Sequence, residues 1–126
     1  KTISAVAGLP ASAESGADVG LPSIYFSTGS TKLGYSNYPA LTEVAKFLKT
    51  NKDAKLTVVG HTDATGPQDF NKKLGKRRAQ AAIDHLVKIY GIDSSRLTAV
   101  SEGSDNGIAL SDASRANRRV DFLFAK

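Results

Sequence analysis

The spacing of apolar residues along the chain follows two different periods, and these predict where strands and helices lie. Residues 24–26 form a short β-prone run that ends at a turn of small polar residues, 27–30. Between about 37 and 51 the apolar residues recur at i, i+3, i+4 and i+7, which is one face of a helix. These residues are Leu41, Val44, Ala45 and Leu48. The first half of the domain is therefore predicted to be a strand, a turn and a helix.

The second half repeats this order and adds two strands. Residues 55–61 alternate as a strand, and Gly60 within it indicates a close approach of two backbones. An apolar stripe then predicts a helix from about 69 to 90 that stops at Gly91. Residues 96–101 read as a short strand and 102–112 as a glycine-containing loop. The last strand covers 119–124, where Val120, Phe122 and Phe124 share one face.

The order strand, helix, strand, helix, strand, loop, strand predicts an α+β fold. We expect a two-layer sandwich in which the helices pack on one face of a mixed four-stranded sheet. Residues 1–22 are rich in Ala, Ser, Gly and Pro without a sustained period, so they are predicted to be a linker or flexible N-terminal arm before a domain spanning 23–126. Neither an export signal nor an apolar run of the roughly 18 residues that span a bilayer is recognisable, so any signal or anchor is expected to have been removed.

Composition agrees with one folded domain and narrows the chemistry. A chain of 126 residues, 40% hydrophobic and 23% charged, suits a single core. Because it contains no cysteine, disulfides, thiolate metal sites and cysteine nucleophiles are excluded. The formal net charge of +5 favours anionic partners, which include nucleic acid, a membrane surface and a carboxylate-bearing cell wall. Charge alone does not choose among them.

The stretch from 60 to 79, GHTDATGPQDFNKKLGKRRA, carries the candidate chemistry. Asn71 and Arg78 are nearly two helical turns apart, so they share a helix face about 10 Å apart along the axis. Arg78 can simply pair with Asp63 at the preceding strand end. Alternatively, Asp63 can hold a ligand ammonium while Arg78 takes the ligand carboxylate in a two-pronged hydrogen bond. Spacing alone favours a structural role over ligand binding, because a helical arginine is usually a solvated charge or part of a surface ion pair.

Four motifs in a fixed order change that balance. They are GHTD, N-x-x-L, R-A and a closing N-R-R-V, at Gly60–Asp63, Asn71–Leu74, Arg78–Ala79 and Asn117–Val120, with Gly66, Gly91–Ile92, Arg96–Leu97 and Gly103 between them. From about Ile24 to Lys126 the chain resembles the OmpA-like peptidoglycan-binding domain. That domain is the C-terminal module of OmpA-type porins, Pal-type lipoproteins and MotB-type stator proteins.

The resemblance implies non-covalent binding of peptidoglycan through the diaminopimelate of its stem peptide. In that family the Asp of HTD and the Arg of R-A bind the α-ammonium and α-carboxylate of diaminopimelate, and here these positions are Asp63 and Arg78. The remaining implied contacts are Thr65, Asn71 and Arg118, with backbone groups near Thr28 and Gly29 as the far wall.

The same resemblance implies the cellular setting. We expect no catalytic residues, no metal and no cofactor. The module is expected in the periplasm, attached to the cell envelope, with the outer membrane favoured over the inner membrane. Its expected partner is peptidoglycan containing meso-diaminopimelate and not nucleic acid. It would meet a membrane only through a segment absent from this chain, and a homodimer is compatible with this setting.

Other functions stay open from the residues. The basic residues of segment 72–78 suit a nucleic-acid or anionic-surface binding module, and a scaffold for envelope proteins without wall binding is a further alternative. His61 and Asp63 with a serine could suggest a hydrolase, but no nucleophile elbow is recognisable. The chain also departs from the family pattern, with Ser27 where many relatives have Asp, Gly75 where many have Ser, and Asn106-Gly107 in place of an Asn-Pro turn.

Overall fold

Two helices and five strands form the part of the chain that the structure describes, residues 17–18, 20–63, 66–103 and 115–125 of a computed structural model. In chain order they are β1 (Ala17–Asp18), β2 (Ile24–Tyr25), α1 (Tyr38–Thr50), β3 (Lys55–His61), α2 (Gln68–Tyr90), β4 (Leu97–Gly103) and β5 (Arg119–Ala125). Short 3-10 turns at Tyr35–Asn37, Ser94–Arg96 and Arg115–Asn117 precede α1, β4 and β5.

The strands form a mixed sheet with β5 and β3 in its centre. Strand β3 pairs with β4 in parallel and with β5 antiparallel. On its other side β5 pairs antiparallel with both short strands, β1 through Ala17 opposite Phe124 and β2 through Ile24 opposite Val120. Because β1 and β2 lie end to end along the same edge of β5, the sheet is four strands wide. The predicted mixed sheet is confirmed.

Both helices pack on the same face of this sheet. Leu56 and Val58 of β3 and Val120 and Phe122 of β5 point into the layer between sheet and helices, where they are almost fully buried. The helices contribute apolar residues to this layer, chiefly Leu41, Val44 and Leu48 of α1 and Ala82, Ile83 and Leu86 of α2. The predicted two-layer α+β sandwich is therefore confirmed. Among the described residues no helix is both long and apolar enough to span a bilayer.

Element boundaries differ from the prediction mainly at β4. Helices α1 and α2 lie within one residue of the expected limits, and β3 matches them. Strand β4 continues through Glu102 and Gly103, which the sequence assigned to the following loop, because its parallel pairing with β3 extends to its end. The remainder of that predicted loop, 104–112, lies outside the described residues.

The strand β1 was not predicted. Its two residues belong to the segment 1–22 that the sequence assigned to a linker or arm, and two residues are too few to show a period. The rest of that segment, 1–16, lies outside the described residues, and the boundary at 22/23 stays a prediction.

Helix α2 and strand β3 approach each other closely where both contain glycine. A methyl group at Gly60 would overlap the carbonyl oxygen of Gly75, and one at Gly75 would lie 2.8 Å from the carbonyl oxygen of Gly60. The close approach predicted from Gly60 is therefore present, and Gly75 is its other half. The contact holds α2 against the end of β3, where Thr62 and Asp63 follow.

The pairing directions bring several chain segments to one edge of the sheet. Since β5 runs antiparallel to both β2 and β3, its first residues lie beside the last residues of those strands. At this edge Gly60 pairs with Ser101 but His61 pairs with Gly103, so Glu102 is an extra residue that forms a β-bulge. The amide of Thr62 then donates to the carbonyl of Gly103 at 2.7 Å. This bond extends the pairing of the two strands by one residue beyond the end of β3.

Candidate functional site

A cavity of about 100 Å³ lies at this edge, and we call it the Asp63 cavity. One wall is the β-turn after β2, through Thr28 and Gly29, and a second is the chain after β3, through Thr62 and Asp63. The third wall is the first half of α2, which contributes Phe70, Asn71, Leu74 and Arg78. The structure therefore brings together five of the seven residues predicted for the site: Thr28, Gly29, Asp63, Asn71 and Arg78.

The β-turn wall has the geometry that its residues favour. The amide of Ser30 donates to the carbonyl of Ser27 at 3.0 Å, and Gly29 has a φ of 69°. A positive φ at the third position of a turn is the type II arrangement, which glycine adopts without strain. The turn therefore depends on a glycine at position 29 and presents its central residues, Thr28 and Gly29, to the cavity.

Arg78 is the most deeply buried ionic group of the site, with 0% of its surface exposed. Its guanidinium donates to three backbone carbonyls, from Nε to Ser30 at 2.8 Å, from Nη1 to His61 at 3.0 Å and from Nη2 to Ser27 at 3.0 Å. Its carbon Cζ also lies 5.2 Å from the centre of the Phe26 ring. Arg78 therefore joins the β-turn and the end of β3 to α2.

These contacts leave part of the guanidinium for another partner. Arginine has five N–H donors, and three are used by the carbonyls. The other two have no hydrogen-bond partner among the described residues. Burial, opposed by the charge of Asp63 and assisted by that of Arg118, lowers the pKa of Arg78 from 12.5 to about 10. The side chain is thus a cation at neutral pH.

Asp63 pairs with Arg118 and not with Arg78. Its Oδ2 lies 3.2 Å from Nη1 of Arg118, whose Nε donates to the carbonyl of Phe26 at 2.9 Å. Asp63 is only 4% exposed. Arg118, the residue before β5, contacts Asp63 but does not line the cavity. In place of the direct pairing of Asp63 and Arg78 that the sequence left open, the structure has a cluster in which one carboxylate lies near two guanidinium groups.

The remaining predicted residues take different positions. Asn71 is 1% exposed, and its side-chain amide donates to the carbonyl of Gly66 at 3.4 Å, which is a long hydrogen bond. Arg118 reaches the site through Asp63 and does not line the cavity itself. Thr65 lies outside the described residues.

Three lining residues were not predicted: Thr62, Phe70 and Leu74. The hydroxyl of Thr62 is buried and has no hydrogen-bond partner among the described residues, although a buried polar group is normally satisfied. Phe70 is 52% exposed at the cavity rim. The sequence held no clear signal for Phe70, because single apolar side chains at the surface are common.

His61 belongs to a separate cluster on the other face of the sheet, which we call the Asp121 cluster. His61 Nε2 lies 3.2 Å from Asp121 Oδ2, Ser23 donates to Asp121 Oδ1 at 2.6 Å, and Arg119 Nε donates to the same carboxylate at 3.0 Å. The serine is bonded to the carboxylate and not to the imidazole, so these residues are not ordered as a nucleophile, base and acid. His61 contributes to the site through its carbonyl, which holds Arg78.

Comparison with known proteins agrees with the motifs. The chain is 35% identical to outer membrane porin F of Pseudomonas aeruginosa over 78% of this chain and 29% of that protein. It is 30% identical to a peptidoglycan-associated lipoprotein of Legionella pneumophila over 79% of this chain and 57% of that protein. It thus spans less than a third of that porin and little more than half of that lipoprotein.

Solved structures give the same result for the fold. The crystal structure of the peptidoglycan-associated lipoprotein from Burkholderia pseudomallei superposes with a TM-score of 0.74 at 28% identity, covering 81% of this chain and 88% of that one. The sequence profile of the OmpA family matches residues 25–120, which contain every described residue of the Asp63 cavity and Arg118 behind it. The chain therefore belongs to the OmpA family.

Proposed function

We propose that this domain binds peptidoglycan non-covalently by holding the free amino-acid end of meso-diaminopimelate in the Asp63 cavity. The observation that carries the proposal is a small cavity with a buried carboxylate on one wall and a buried guanidinium on another. A zwitterion places an ammonium and a carboxylate on the same carbon, so it complements both charges at once.

The available hydrogen-bonding groups fit this ligand. The two remaining donors of Arg78 are proposed to bind the ligand carboxylate, and Asp63 its ammonium. The hydroxyl of Thr62, with no partner among the described residues, supplies a further hydrogen bond at the same place. Thr28, Gly29, Thr65 and Asn71 complete the proposed contacts, and Arg118 holds Asp63 in position.

This chemistry separates diaminopimelate from lysine. A lysine side chain in the wall peptide ends in an ammonium alone, which would leave Arg78 buried without its anion. Leaving a buried charge without its partner is costly, so the cavity is proposed to reject lysine. The proposed binding involves no chemical reaction, so we propose no catalytic residue, cofactor or metal for it.

The setting follows from the proposed ligand. Binding to the wall places the domain in the periplasm, where it would anchor a larger envelope protein, and the name of the outer membrane porin relative favours the outer membrane. A single small ligand in an open site is expected to bind with micromolar to millimolar affinity, and many wall sites would add avidity.

Sedimentation with purified peptidoglycan tests the proposal. The wild-type domain is expected to pellet with the wall, and Asp63→Asn, which removes the charge and keeps the shape, is expected to remain in solution. Asp53→Asn is the matched control, since Asp53 is exposed in the turn before β3. Equal pelleting of both variants would show that Asp63 is not in the binding site. Free meso-diaminopimelate should release the wild type, whereas lysine and duplex DNA should not.

A further inference from the structure

A second and larger cavity, of about 390 Å³, lies on the other side of the β-turn, and we call it the Lys32 groove. The corner residues Ser27 and Ser30 line this groove, while the central residues Thr28 and Gly29 line the Asp63 cavity. The ends of a β-turn lie within about 7 Å of each other, so the two cavities are neighbours separated by one turn of backbone.

The groove is polar and positively charged. Lys32 and Arg118 line it, and none of the described lining residues carries a carboxylate. Lys32 is exposed and has no ion-pair partner within the described part of the chain. Ser27 and Ser36 add hydroxyl groups to the lining. The groove therefore suits an anionic, hydrogen-bonding group at its surface, and a carboxylate is the simplest one.

Arg118 connects the two cavities. Its Nη1 lies 3.2 Å from Asp63 and its Nε donates to the carbonyl of Phe26, while its side chain also lines the Lys32 groove. A ligand that fills the Asp63 cavity and continues past the turn would thus meet positive charge again within a short distance.

We propose that the Lys32 groove binds a second carboxylate of the same wall peptide, that of the γ-linked glutamate immediately before the diamino acid. This inference rests on the proposed function of the Asp63 cavity. A γ-linked glutamate keeps its α-carboxylate out of the peptide bonds, so this anion is present next to the diamino acid. Lys32 is the residue that contacts it, and the groove prefers a free carboxylate over the uncharged carboxamide of isoglutamine.

The test compares three ligands by calorimetric titration: free meso-diaminopimelate, the tripeptide L-alanyl-γ-D-glutamyl-meso-diaminopimelate, and the same tripeptide with isoglutamine. The wild type is expected to bind the glutamate tripeptide about threefold to tenfold tighter than the isoglutamine form, as one charge-assisted contact at a partly exposed site allows. In Lys32→Gln this preference should fall below about twofold, with unchanged binding of free diaminopimelate.

A matched control and two contrary outcomes complete the experiment. Lys55→Gln removes another exposed lysine, at the opposite end of β3 from His61, and it should keep the full preference. If the wild type binds both tripeptides equally, or if Lys32→Gln keeps the preference, the groove does not bind the glutamate carboxylate and the Asp63 cavity stands alone. If none of the three ligands binds, the proposed function fails and this inference fails with it.

Discussion

At the scale of single residues, the structure gives Arg78 a second role beside the one implied by its motif. The resemblance implied a ligand contact, whereas the three carbonyls that it holds make it a part of the scaffold as well. The β-turn, the end of β3 and α2 all depend on this one guanidinium. Replacing Arg78 therefore tests stability more than recognition, and Asp63 is the better residue for testing the ligand.

Arg78→Ala is expected to lower the free energy of unfolding by about 3 kcal/mol or more, since hydrogen bonds to charged groups contribute about 1.5–3 kcal/mol each. Arg78→Lys should recover only part of this, because a single ammonium lacks the planar fork that reaches three carbonyls. Urea unfolding measures both. Arg77→Ala, at the exposed neighbouring position on α2, is the control and should change stability by less than about 0.5 kcal/mol. Similar losses for Ala at both positions would contradict the scaffold role.

The Asp121 cluster predicts how stability depends on pH. Burial raises the pKa of Asp121, but hydrogen bonds from His61 and Ser23 and the charge of Arg119 outweigh it and lower that pKa from 3.8 to about 2. Because the folded value lies below the unfolded one, the stabilisation is present above about pH 4 and is lost as the pH falls toward 2.

Asp121→Asn should remove this dependence. Between pH 5 and pH 2 the wild type is expected to lose about 2 kcal/mol more stability than the variant does, measured by urea unfolding at each pH. Asp53→Asn, an exposed aspartate, should follow the wild-type curve. Parallel curves for the wild type and Asp121→Asn would mean that the cluster does not hold its carboxylate ionised.

At the scale of elements, the sequence predicted helices and strands well where a period extends over several turns or alternations. The bounds of β3, α1 and α2 follow from such runs. It could not predict β1, because two residues carry no period, or the last two residues of β4, because pairing with a neighbour keeps them in the sheet. These features depend on long-range contacts that local patterns do not contain.

The candidate site shows the same division. Asp63 and Arg78 were recognisable because their motif is local and specific. The pairing of Asp63 with Arg118 joins residues 55 positions apart, and the hydroxyl of Thr62 becomes notable only when the fold buries it without a partner. The motifs therefore predicted which residues lie together at the candidate site, and the structure shows which hydrogen bonds and ion pairs they form.

The contact between Gly60 and Gly75 gives the element-scale prediction. Gly60→Ala should lower the free energy of unfolding by about 3 kcal/mol, near the upper end for overpacking, because the added methyl group overlaps backbone that cannot rotate away. Gly34→Ala is the control, since its φ of −92° suits alanine and no atom lies closer than 4.0 Å to the added carbon. Chemical denaturation measures both, and a Gly60→Ala domain as stable as Gly34→Ala would contradict the packing.

At the scale of the whole molecule, one edge of the sheet concentrates the features that the proposal needs. The ends of β2 and β3, the start of β5 and the first half of α2 meet there. The guanidinium groups of Arg78 and Arg118 lie near the carboxylate of Asp63 at this edge. The net charge of +5 can raise the rate at which the domain meets an anionic wall, but it is not selective. In the proposed function, selectivity depends on the small cavity at that edge.

Titration of free meso-diaminopimelate into the isotope-labelled domain, followed by amide chemical shifts, tests the central claim most directly. We predict saturable shifts confined to the β-turn at 27–30, to Thr62 and Asp63, and to the start of α2, with a dissociation constant between micromolar and millimolar. Asp63→Asn should weaken binding at least about tenfold, as loss of one charge-assisted contact in a buried site implies. Absence of saturable shifts at these residues, or equal binding by Asp63→Asn, would contradict the claim.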